Sequence, residues 1–246
     1  MPSRTILAAA FAAVAAIASA CGGTDDESVI DVYAASSLTD AFTELEAAFE
    51  AANPEFDVRL NLAGSNALQR QILDGADAEV FAPADTALLD AVVPAGAPVS
   101  TYATNTLTLV VPVGSGPGEP VTAVADLGRA GVLVARCAPG VPCGDATEQW
   151  LTAGGQQLGR TSDESNVRAV LSKVRRGEAD AGFVYRTDAL AAADEVTEIP
   201  LQPTVVTTYG VGAVDPEHAG AEAFVTFIEG PTAAVILDEL GFERTP

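Results

Sequence analysis

From Val29 onward, short strand-like runs alternate with amphipathic helical ones, an order that leaves a chain few folds beyond a parallel sheet with helices on both faces. The strand-like runs fall at 29–34, 56–62, 79–82, 107–112, 131–135, 181–185 and 204–214. Between the first two, Leu38, Ala41, Phe42, Leu45 and Phe49 recur at helical spacing, which gives one apolar stripe to lay on the sheet. Crossings between two halves of the chain are expected near 103–106 and 201–204, on either side of the glycine- and proline-rich turn 113–118.

The first twenty residues read as a leader. One charge, Arg4, precedes an apolar run from Ile6 to Ala18, too short to span a membrane, and Ser19-Ala20-Cys21 follows. A cysteine directly after small residues resembles a lipoprotein processing site, although Ala18 stands where leucine is more usual. Residues 1–20 are therefore expected to be a lipoprotein signal peptide, Cys21 the lipidated residue and 21–28 a polar tether. No later run is long and apolar enough to cross a membrane, so the body is expected outside the cytoplasm, held to the membrane by its lipid.

Twelve Lys and Arg against 34 Asp and Glu give a net charge of −22, with no basic cluster to offset it. Nucleic-acid and anionic-membrane surfaces are excluded as partners. The two remaining cysteines, Cys137 and Cys143, form an even pair expected to be disulfide-bonded outside the cytoplasm; two free thiols are the alternative. The single histidine, His218, sits in a turn-like Asp215-Pro216-Glu217-His218 without metal-ligand spacing and is expected at the surface.

Several short stretches look like helix starts or strand ends that offer hydrogen-bond donors and no charge: Ser36-Ser37-Leu38-Thr39, Gly64-Ser65-Asn66, Pro142-Cys143-Gly144-Asp145 and Ser165-Asn166-Val167. Taken singly, each has a local explanation. Ser37-x-x-Asp40 reads as a capping box, Gly64-Ser65 as a turn before a helix over 67–73, and Asn166 or Ser165 as the cap of the helix that follows. Arg168 is expected solvated or paired. Tyr185 ends a buried strand, where its ring packs and its hydroxyl reaches a loop. Taken together, they would form a dry pocket of N–H and O–H donors suited to a small, fully deprotonated oxyanion.

In this order the motifs resemble the molybdate-binding proteins of ABC transporters, the ModA family. Val32-Tyr33-Ala34-Ala35-Ser36-Ser37-Leu38-Thr39 and Gly64-Ser65-Asn66-Ala67-Leu68-Gln69-Arg70-Gln71-Ile72 match its first two ligand loops. Val141-Pro142-Cys143-Gly144 resembles its Val-Pro-Ala-Gly turn, with cysteine for alanine. Val167 and Tyr185 fall on a backbone donor and on the ligand tyrosine, and Arg186 departs from the small residue some relatives carry there.

The resemblance implies an α/β, two-lobed type II periplasmic-binding-protein fold, each lobe a mostly parallel sheet flanked by helices. Lobe I would comprise 29–104 plus 204–246 and lobe II 105–203. The ligand residues would be Ser37, Ser65, Cys143, Val167 and Tyr185, with molybdenum held only as its oxyanion and no cofactor. It implies capture of molybdate or tungstate by a monomer for an ABC permease and its ATPase, or, as the alternative, of another tetrahedral oxyanion such as sulfate. An enzyme is disfavoured, because the sequence offers no nucleophile with a matching base.

Overall fold

The computed structural model describes residues 27–114, 116–118 and 120–245. The expected leader, nearly all of the tether and Cys21 lie outside them. The chain begins with β1 (Val29–Ala35), a 3-10 turn (Ser36–Leu38), α1 (Thr39–Ala52), β2 (Asp57–Ala63), α2 (Ser65–Leu73), β3 (Val80–Ala82) and the long β4 (Val99–Pro112). There follow β5 (Leu133–Cys137), α3 (Pro142–Gly154), β6 (Arg160–Glu164), α4 (Val167–Arg175), β7 (Ala181–Tyr185), α5 (Arg186–Ala191) and β8 (Val196–Ile199). β9 (Val206–Ala213), α6 (Ala219–Glu229), α7 (Pro231–Glu239) and β10 (Glu243–Arg244) complete it.

The strand order is β2-β1-β3-β9-β4-β7-β5-β6, with β8 and β10 also on β4. Parallel triplets stand at both ends, β2-β1-β3 and β6-β5-β7, as βαβ units require. β9 and β4 join them in antiparallel register. β4 serves both halves in turn: Val99 to Thr106 pairs with β9, and Leu107 to Val110 pairs with β7.

Buried apolar residues form two main clusters. One runs from Leu107 to Val205 and includes Trp150 against Phe183, ring centroids 5.5 Å apart. The other draws on Ile30 to Ala103 and returns at Tyr209 to Phe242, with Phe49 edge-on to Phe224 at 5.1 Å. The stripe read from the sequence is the buried face of α1: Ala41, Phe42, Leu45 and Phe49.

Some elements depart from expectation. β4 starts at Val99, not at 107, because its first half carries Ser100, Thr101, Thr104, Asn105 and Thr106, polar residues that hide a strand from an apolar pattern. β6 was missed because it is the sheet edge, where Arg160-Thr161-Ser162-Asp163-Glu164 meets solvent. β8 and β10, short and paired only with β4, left no signal either.

His218 is not a surface residue. It is half-buried at the N-terminus of α6, and both its ring nitrogens are enclosed without a hydrogen-bond partner. The turn before it is pinned to the sheet by Val214 and Asp215 N–H groups on the Glu79 carbonyl, which draws the imidazole inward.

Candidate functional site

The four donor stretches and the Tyr185 strand end meet in one small pocket. Ser36 and Ser37 follow β1, Gly64 and Ser65 join β2 to α2, and Val141 to Cys143 open α3 after β5. Asn166 and Val167 open α4 after β6, and Tyr185 ends β7. All five segments leave the carboxyl ends of strands, where an open α/β sheet gathers its ligand loops. Thr39, Asn66, Asp145 and Ser165, from the same motifs, do not line it. About 10 Å³ is open to the centre of a water-sized sphere, about what a single water molecule needs and far too little for an organic substrate. None of the residues lining it carries a charge.

Four helical N-termini point at this space: the turn before α1, and the starts of α2, α3 and α4. Their first N–H groups have no acceptor within their own helices, and the peptide dipoles present their positive ends there. At α4, Asn166 is the cap, its Oδ1 accepting from the Ala169 N–H at 3.0 Å. This leaves the Val167 N–H free of intrahelical pairing. At α3, Cys143 is joined to Cys137, tying the helix start to the end of β5. Reduction of that bond should lower stability by about 2 kcal/mol on the loop-entropy account, a change denaturant titration with and without reductant will read.

Ser37 is not a cap. The N-cap of α1 is Leu38, without a side-chain cap bond, and the capping-box expectation fails because a 3-10 turn over Ser36–Leu38 places Ser37 one residue ahead of that cap. Its Oγ instead lies 2.9 Å from the Tyr209 hydroxyl, which donates to it. Ser65 Oγ accepts from the Ala84 N–H at 3.1 Å. Tyr185 Oη accepts from Thr207 Oγ1 at 3.3 Å. Each of the three hydroxyls thus has an acceptor site occupied by a protein donor, and its own proton is left for the pocket.

Burial pushes the Tyr185 phenol well above its ordinary range; the Thr207 hydrogen bond opposes this, and the carboxylates of Asp188, Asp85 and Asp145 reinforce it. The phenol therefore remains a donor at any physiological pH. Just behind it, Asp188 is wholly enclosed, accepts from the Tyr185 N–H at 3.1 Å and stands 2.9 Å from Arg168 Nε. Those two atoms are close but badly aligned for a hydrogen bond, so the contact is chiefly ionic. Arg168 also reaches Asp40 on α1 at 2.5 Å, which makes it the paired arginine expected of the sequence.

Tyr209, Thr207 and Asn105 were not identified from the sequence. Thr207-Thr208-Tyr209, hydroxyls at the head of a strand, is the signal that could have found the first two. Elsewhere, a groove of ≈ 690 Å³ along Thr86 to Val99 is larger, but it is a shallow surface without convergent donors.

The family described as "Bacterial extracellular solute-binding protein" matches residues 30–243. The molybdate-binding protein ModA of Mycobacterium tuberculosis is 40% identical over 233 residues, covering 92% of this chain and 88% of that one. Among solved structures, the periplasmic molybdate-binding protein of Azotobacter vinelandii superposes with a TM-score of 0.73 at 23% identity, over 88% of this chain and 99% of its own. The sulfate-binding protein SubI of Mycobacterium tuberculosis gives 0.72 at 18% identity, over 89% and 87%. At those identities the two structures speak for the fold.

Proposed function

Because the chain belongs to the ModA family of bacterial extracellular solute-binding proteins, which serve transporters and are not enzymes, we propose that it captures molybdate, and tungstate equally, for an ABC importer. The ligand sits among the hydroxyls of Ser37, Ser65 and Tyr185 and the N–H groups of Ser37, Ser65, Cys143 and Val167. The observation that carries this reading is the polarity of the pocket: three hydroxyls already supplied with donors, around four helical N-termini and no lining charge. Such a site can only give hydrogen bonds, and a tetrahedral dianion can only take them.

Residues 29–104 plus 204–246 form one lobe and 105–203 the other, with the pocket between them. The donors come from both, so the anion is fully held only when the lobes meet. Lipid on Cys21 anchors the protein, and a permease with its cytoplasmic ATPase receives the cargo. The acidic surface does not defeat anion binding, since exposed carboxylates beyond roughly 8 Å are screened at physiological salt.

Hydrogen phosphate would set its own O–H against a donor and is rejected for that reason. Sulfate carries no proton, and only its smaller size separates it from molybdate. Calorimetric titration of the purified protein with the four anions is the test. Molybdate and tungstate should bind within about tenfold of one another and sulfate about a hundredfold more weakly, a cavity-fit difference of roughly 3 kcal/mol. The fold shared with a sulfate-binding protein makes sulfate the second reading, and a preference for it would replace the first.

A further inference from the structure

We propose that Tyr209, which does not line the pocket, is a positioning residue: it commits the Ser37 hydroxyl to donation and so sets selectivity against anions that carry a proton. This rests on the reading of the pocket as an oxyanion site.

Asn105 is buried, and its Oδ1 accepts from the Thr106 N–H at 2.9 Å, which fixes the amide. Its Nδ2 end, a donor only, then meets Thr187 Oγ1 at 2.8 Å. Tyr209 Oη donates to Ser37 Oγ, 2.9 Å away, across the buried space between β9 and the turn after β1. The ring has no freedom to turn aside. It is fully buried, edge-on to Phe242 at 5.6 Å and to Tyr185 at 6.2 Å.

Ser37 Oγ, having accepted, must direct its hydrogen elsewhere, and the space open to it is the pocket. Aligned chains of this kind also polarise one another, which strengthens the last bond. An anion with an O–H at this position finds two hydrogens facing each other. Without the Tyr209 hydroxyl, Ser37 could rotate and accept, and that obstacle would vanish.

The test is a double-mutant cycle by calorimetry on the wild type, Tyr209→Phe, Ser37→Ala and the pair, with molybdate and with inorganic phosphate, alongside melting of the ligand-free proteins. Tyr209→Phe should weaken molybdate about tenfold, the scale of one hydrogen bond to a charged acceptor, and narrow the molybdate-to-phosphate ratio about as much. In the Ser37→Ala background it should change neither. Equal losses in both backgrounds, or an unaltered ratio, would overturn the proposal. Should Tyr209→Phe melt early, the cycle is run well below its melting temperature, where all four proteins are folded, and the ratio should narrow in the same direction. A wild type that prefers sulfate sinks the molybdate reading alone, because the cycle can then be run with sulfate and the coupling to Ser37 read unchanged.

Discussion

Gly64→Ala should weaken anion binding by at least about a hundredfold, the equivalent of losing two bonds to a charged acceptor, while the ligand-free protein keeps its melting temperature. Gly64 sits at φ −66° and ψ 132°, a conformation any residue adopts, so alanine brings no local strain. What it brings is a Cβ 2.6 Å from the Ser165 carbonyl oxygen and 3.5 Å from Asn166 Cβ. Those atoms belong to the turn between β6 and α4, the other wall of the pocket. A backbone carbonyl cannot swing away as a side-chain tip does, so the two walls must part. The Val167 N–H then withdraws from any anion held by Ser37 and Ser65, and hydrogen bonds weaken steeply with that separation. Calorimetry and thermal unfolding on the same variant separate the two effects. Undiminished affinity would mean that the walls do not need to meet around the ligand.

The sequence showed where donors could be and not how their protons are oriented. The donor stretches around Ser37, Ser65, Cys143 and Val167 stand out because a glycine, a small residue or a cap marks a helix start, and Tyr185 because it ends an apolar strand; such marks are local, and the resemblance singled out the five residues within them. Their convergence required the strand order, which no single segment encodes; the resemblance supplied it and the structure brings them to one pocket. The Tyr209 bond to Ser37 spans 172 positions and the Asn105 bond to Thr187 spans 82, so neither leaves a trace in local spacing. The first half of β4 was hidden for a related reason. Of the polar residues in that half only Asn105 is buried, and Ser100, Thr101, Thr104 and Thr106 are exposed or part-buried, so the strand lacks the apolar alternation that reveals others. Ser37 was misassigned as a cap because capping boxes are recognised by residue type, and a 3-10 turn of the same composition presents the same letters.

Arg168→Ala should be the most destabilising single change near the pocket, and more so in alkali than in acid. Burial pushes the Asp188 carboxyl up to about 7, against the pull of Arg168 and of the Tyr185 N–H, with Asp40 adding to the rise. Unfolded, an aspartate ionises near 4, so folding takes up a proton between about 4 and 7. Stability from this group is therefore full below the lower value and is lost as the pH rises through the upper one. Removing Arg168 takes away the cation that opposes burial and drives the folded value higher still. At pH 8 the variant must enclose an unpaired charge or bind a proton against the solution, and a loss of about 3–5 kcal/mol is expected. At pH 5 the carboxyl is protonated in both proteins, and the loss should shrink to the missing contacts. Asp188→Asn in the Arg168→Ala background should recover most of the alkaline loss, since an amide oxygen still accepts from Tyr185 and brings no charge. Asp40, whose side chain is 44% exposed, should matter little by comparison, with Asp40→Asn costing under about 1 kcal/mol. Urea unfolding of the wild type and the three variants at the two pH values decides it: a loss on Arg168→Ala that is the same at pH 5 and pH 8 would mean that Asp188 is not the group Arg168 neutralises.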